Sequence, residues 1–301
     1  MKRKTTDKFL HKRLFLYLAF SFALVWIPAI VYLAAGGVYE SPAMQSILTY
    51  SMLCPSMGML LTRWITGEGF PMKGENSLKL GIDFTGKKWI WYVVAVLLPV
   101  VYQELGMGLF YLLAPEGFDP AQLAEYGIPE KIVWLYPVSV IISCCIFSVG
   151  ALGEEAGWRG YMMPKLEELF GTGKAIVIGG IIWGVWHYPA IYAGHNFGTG
   201  YAGEPWTGFL VFTLFTIGIG AILTFLTKKT GSVWPAAFLH AVNNGTGGIL
   251  YLYYNKEKVT GIMGQAPVAV FVQLLPVLIL GAATMVVSCR KDSLDDKTSV
   301  L

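Results

Sequence analysis

The chain of 301 residues is 55% hydrophobic and only 14% charged, whereas an ordinary soluble domain carries about 25% charged residues. That composition excludes a water-soluble globular fold. The net charge of +3 is small, and its basic residues are sorted along the chain in a way that speaks of membrane topology, so no nucleic-acid partner is expected.

Taken in chain order, apolar runs occupy approximately residues 14–35, 44–62, 89–113, 132–152, 175–193, 206–226, 233–254 and 268–288, and a bilayer-crossing helix needs about 20 such residues. The first run exceeds the apolar stretch of a cleaved leader and reads as a retained span. About eight spans put both termini on one side. Nineteen lysines and arginines then fall in the termini and in the connections at 63–88, 159–174 and 228–229, against Lys131, Lys256 and Lys258 opposite, which places both termini in the cytoplasm. The expected fold is all-α, a polytopic transmembrane helix bundle forming one domain over residues 1–301. Short loops without organelle signals point to a bacterial cytoplasmic membrane, with membrane lipids as the surrounding partner. Of the longer connections, 63–88 reads as an irregular surface segment. Cys54, Cys144, Cys145 and Cys289 lie in or beside apolar runs without disulfide or CxxC spacing and read as small buried hydrophobes.

Ionisable side chains inside a span are costly and normally face a bundle interior or a wet cavity. The fourth run continues as Glu154-Glu155-Ala156-Gly157-Trp158-Arg159, with Pro164 as its first breaker; the fifth holds Trp183 and His187, the seventh His240 and Asn244. Counted from Pro164, Lys174 and Gly231 at about 1.5 Å per residue, Glu154, His187 and His240 sit roughly 15, 20 and 14 Å from the cytoplasmic side, a shared layer. Residues four apart share a helix face, so Glu155 can pair with Arg159 and His240 with Asn244. Glu154 has Trp158 at its i+4 position and needs a partner from another helix, a histidine or a water.

Two chemistries are open to these residue types. A glutamate and a histidine can deprotonate a water while histidine and asparagine stabilise an oxyanion. Alternatively Glu154, His187 and His240 can ligate zinc. No dense zinc motif is present, and Asn244 is better explained as a second oxyanion donor, so the metal-free reading is preferred and no cofactor is required. His195 reads as a solvated residue of an external Gly-rich loop, Glu104 as a helix–helix hydrogen-bonding residue and His11 as interfacial.

The series Glu154-Glu155-x-x-x-Arg159, an aromatic four before His187, and His240-x-x-x-Asn244 resembles the EExxxR, FxxxH and HxxxN signatures of the CPBP family of intramembrane proteases. That family includes the CAAX prenyl endopeptidases and the bacterial bacteriocin-processing or self-immunity proteins also called Abi. The resemblance covers a motif-bearing core of about residues 130–255. It implies an intramembrane endopeptidase acting on a lipidated or membrane-associated protein or peptide. Glu154 would be the base, His187 its partner on the water, His240 and Asn244 the oxyanion stabilisers, and Glu155, Arg159 and Trp183 the support. Trp183 stands where the family pattern has phenylalanine. A bacteriocin self-immunity or peptide-binding protein without essential catalysis, and a transporter, are the alternative functions.

Overall fold

The computed structural model describes residues 9–74 and 76–298, without the side chains of 132 and 291–298. Lys2, Arg3, Lys4 and Lys8, which enter the charge sorting, fall outside these limits, as do the side chains of Lys291 and Lys297. In chain order the helices are α1 (Leu10–Ala34), α2 (Pro42–Ser51), α3 (Cys54–Thr66), α4 (Trp89–Leu113), the single turn α5 (Gln122–Glu125), α6 (Tyr136–Gly157), α7 (Met163–Phe170), α8 (Thr172–Trp186), α9 (Tyr188–Tyr192), α10 (Trp206–Thr230), α11 (Trp234–Gly245) and α12 (Ala266–Thr298). Extended pairing among the described residues is confined to one antiparallel bridge, Phe118 with Tyr254. The chain is thus an all-α integral membrane bundle, the architecture in which every backbone group is satisfied within its own segment.

Among the described residues five helices are long and apolar enough to cross a bilayer: α1, α4, the continuous rod 133–170, α10 and α12. The other three apolar runs are not continuous helices. At 44–62 the helix breaks into α2 and α3 ahead of Pro55, which has no N–H for the carbonyl of Ser51. At 175–193 it stops at His187, two residues before Pro189, leaving the 15-residue α8. At 233–254 α11 ends at Gly245, where Thr246 turns extended and Gly248 takes φ +83°.

Pro164, by contrast, breaks nothing. Residues Trp158–Met162 form a π-helical turn between α6 and α7. The proline ring, which would clash with the carbonyl of Gly160 in a regular helix, follows a stretch where the ladder has already widened. The rod ends only at Gly171, with φ +74°. Glu154 therefore lies about 24 Å from that end rather than 15. Pro164 is thus not the helix end that the depth count took it for, and the polar residues are brought together by helix packing.

The main helix pairings are α6 with α11, α8 and α12 with α10, α1 with α3, and α4 with both α11 and α12. In lipid such contacts depend on small residues that let backbones approach. A Cβ on Gly157 would come within 2.5 Å of the Pro55 backbone, and one on Gly180 within 2.5 Å of Ile217 Cα. Substitution at either would push α6 off α3 or α8 off α10.

The connection after α3 is pinned rather than loose. The buried Arg63 guanidinium donates to the carbonyls of Gly69 (3.2 Å) and Asn76 (3.0 Å). Glu68 meets Lys165 Nζ at 3.1 Å and Arg13 Nε at 3.5 Å, and accepts the Tyr161 hydroxyl at 2.6 Å, locking the loop under the π turn. Glu104 departs from its expected role too: it accepts the backbone N–H groups of Ile249 and Leu250, so it ties α4 to the connection after α11, not to another helix. Of the cysteines Cys54 is buried, whereas Cys144 and Cys289 are half-buried and Cys145 is exposed.

Candidate active site

Both glutamates of the acidic motif lie on the last turn of α6 and Arg159 on the π turn that follows, and the helical period decides which side chains meet. Glu155 is fully buried and pairs with Arg159 one turn on, at 3.1 Å. Its second partner is His240 of α11, whose Nδ1 lies 2.8 Å from Glu155 Oε1. Arg159 also lays its guanidinium on the Trp183 ring, 4.2 Å from the centroid. A carboxylate between two basic groups, each held by a different helix, offsets the desolvation cost of burying charge that an isolated pair would leave uncovered.

Glu154, next in sequence and also buried, faces a different set. Neither a histidine nor a charge holds it. One oxygen, Oε2, accepts the indole N–H of Trp183 at 2.8 Å and that of Trp158 at 3.2 Å. Trp158 is the i+4 residue noted above as carrying no charge, and it serves as a neutral donor. Trp183 matters more, because phenylalanine, the usual residue of the family pattern here, would keep the ring and lose the N–H. The same ring touches His240 at 5.5 Å and His187 at 5.9 Å between centroids.

His187 sits at the end of α8, half-buried among Trp186 and Phe212, each 4.7 Å away by centroid. Its Nδ1 is 2.8 Å from the carbonyl of Trp183. A carbonyl only accepts, so Nδ1 carries the proton and Nε2 holds a free lone pair. His240 does not bond Asn244, as its spacing allows, because Glu155 takes its Nδ1. Asn244 instead accepts from Asn243 Nδ2 at 3.2 Å, which leaves its own amide N–H groups available.

Glu154, Trp183, His187, His240 and Asn244 all line one cavity of about 480 Å³. Its remaining wall includes residues that the motifs do not contain. Tyr102 donates to Asn243 Oδ1 (2.6 Å) and Gln103 to the Asn243 carbonyl (3.2 Å), so α4 anchors the end of α11. The helix α1 fastens α8: Trp26 donates to the Trp186 carbonyl (3.1 Å) and Trp186 to that of Ser21 (3.0 Å). His195 also lines the cavity, half-buried, with Nδ1 2.7 Å from the Tyr39 hydroxyl; it is not the solvated loop residue its glycine-rich surroundings imply. A buried polar pair in a span is a visible sequence signal, whereas a tyrosine or histidine in a loop is not.

The zinc alternative asks whether Glu154, His187 and His240 converge as ligands. Glu155 behind His240 has the look of an orienting carboxylate. Among the described residues, however, no three His, Cys, Asp or Glu side chains come together at metal-ligating separation. The residues as they stand do not fit a three-ligand zinc set.

A helical membrane bundle thus brings a carboxylate, two histidines and, at its open side, the exposed amide of Asn244 to one cavity. Comparison with known proteins points to the intramembrane protease class. Residues 131–246 match the family model described as type II CAAX prenyl endopeptidase Rce1-like. Over 118 residues the chain is 29% identical to a protein named CAAX prenyl protease 2 from Methanococcus maripaludis, covering 38% of this chain and 43% of that relative. The match thus spans less than half the length of the relative. Over this segment the chain is thus similar to the type II CAAX prenyl endopeptidases, in keeping with the family whose three motifs it resembles.

Proposed function

We propose that this protein is an intramembrane endopeptidase that hydrolyses a peptide bond of a lipidated or membrane-associated protein or peptide, using a water activated by Glu154. The observation that carries the reading is the Glu154 carboxylate itself. Its Oε2 is occupied by two neutral N–H donors, which leaves Oε1 as the basic atom of a carboxylate that lines the same cavity as His187 and His240.

In this scheme the water lies between Glu154 Oε1 and His187 Nε2. Glu154 takes its proton as the oxygen attacks the scissile carbonyl carbon. The carbonyl oxygen becomes an oxyanion that accepts from His240 Nε2–H and Asn244 Nδ2–H. Because Nδ1 of His240 already faces Glu155, donation from Nε2 requires the ring to carry both protons, and Glu155 is then its counter-ion. Collapse of the intermediate breaks the C–N bond, and Glu154 returns the proton to the leaving nitrogen. Products are a carboxylate and an amine, and no metal enters any step.

Both termini lie in the cytoplasm on this reading, and the bilayer is the plasma membrane. A peptide-binding immunity protein would keep its ligand without cleaving it. The test compares membrane and secreted peptides from cells carrying wild-type and Glu154→Ala protein. A precursor that accumulates only with the variant supports the proposal. Identical peptide profiles, with both proteins present in the membrane, would reject it.

A further inference from the structure

The external stretch after α9 brings one histidine to the cavity that neither the motifs nor the proposed mechanism uses. His195 is held at three points. Its backbone N–H donates to the Ala190 carbonyl at 3.0 Å. Its Nδ1 is 2.7 Å from the Tyr39 hydroxyl, and the two rings lie 5.8 Å apart by centroid. Tyr39 belongs to the α1–α2 connection, 156 residues away in the chain, so two separate external segments meet to fix this ring. His195 lines the cavity shared with Glu154, His187 and His240, and Nε2 is the ring nitrogen that Tyr39 leaves over.

We propose that His195 is a substrate-binding residue whose Nε2–H donates to a backbone carbonyl of the bound peptide on the external side of the scissile bond, with Tyr39 as its positioning residue. The inference rests on the endopeptidase reading above. In this proposal the phenol donates to Nδ1, so that the ring proton resides on Nε2 and the imidazole acts as a neutral donor. Burial agrees with that state, since it pushes the imidazole pKa down to about 4. A peptide chain entering a bilayer cavity must replace the hydrogen bonds its carbonyls made to water. A fixed neutral donor does this without adding a charge next to Glu154.

The test uses full-length protein in liposomes and a fluorescence-quenched S-farnesylated peptide with a C-terminal CAAX sequence as probe. Cleavage kinetics are compared for wild type, His195→Phe, His195→Gln and Tyr39→Phe, and binding of the uncleaved probe is measured in a Glu154→Gln background. His195→Phe should raise KM and the probe Kd about five- to tenfold, the scale of one net hydrogen bond, with kcat within twofold. Tyr39→Phe should move KM in the same direction by less. His195→Gln, whose amide reproduces the Nε2 donor, should recover most of the loss, which a merely structural histidine would not show. Wild-type cleavage with KM and Kd unchanged in His195→Phe overturns the role of His195 alone. A wild-type protein that neither binds nor cleaves the probe overturns that role and, for this substrate class, the function on which it rests.

Discussion

Trp183 shows how one departure from a family pattern changes the chemistry of a neighbour. A phenylalanine there would preserve the contacts with Arg159, His187 and His240, but not the 2.8 Å donor to Glu154. Trp183→Phe should therefore leave membrane accumulation intact and lower kcat roughly 10- to 100-fold, the range for losing one hydrogen bond to a charged group, with KM little changed. Equal losses in KM and kcat, or none, would deny the indole this part. Glu155 and Arg159 behave differently, because each is the other's buried counter-charge. Replacing either with alanine strands a charge, at about 3–5 kcal/mol. Both variants should be depleted from the membrane and melt early in detergent, while Glu154→Ala should accumulate normally. The motif residues were legible at this scale, since a charge in a span is conspicuous. Their partners were not. Nothing in the spacing tells that Glu155 rather than Asn244 takes His240, or that two indoles take the place of a histidine on Glu154.

Among the elements, hydropathy locates apolar stretches but does not see whether the hydrogen-bond ladder inside them is continuous. The runs at 44–62, 175–193 and 233–254 are each interrupted, by Pro55, Pro189 and the Gly245–Gly248 stretch, and their average apolarity hides this. Pro164 misled in the opposite direction, because a π turn absorbs it. The interruptions matter for function: α8 ends at His187, and α11 ends just beyond Asn244, so site residues stand at helix ends where side chains can enter a cavity. Close contact between α6 and α3 supports the motif from behind. Gly157→Val should clash with Pro55, where a Cβ has only 2.5 Å. Overpacking of this kind costs about 1–3 kcal/mol. A lowered melting temperature together with reduced turnover is the expected result; an unchanged melting profile would show that α3 yields freely.

At the scale of the whole molecule, the first helices carry no motif yet build the site, through Trp26 and Ser21 on α8 and Tyr102 and Gln103 on α11. Such contacts join residues more than a hundred positions apart, which is why single-chain reading missed them. The proposed orientation in the bilayer rests on the sorting of 19 against three basic residues. Reporter fusions after Lys88, Lys174 and Lys229 should score cytoplasmic, and those near Glu40, Asp119 and Gly200 external. An external signal at Lys174 would invert the placement of the rod that carries Glu154.

The central claim, hydrolysis by a glutamate-activated water in a membrane cavity, is tested most directly with purified protein in liposomes, stripped with a strong chelator and given the farnesylated peptide. Cleavage should persist after stripping, vanish in Glu154→Gln, and fall about 10²–10³-fold in Asn244→Ala, the loss of one oxyanion donor. Activity that disappears on chelation and returns with stoichiometric zinc, or a Glu154→Gln protein that cleaves at the wild-type rate, would contradict it.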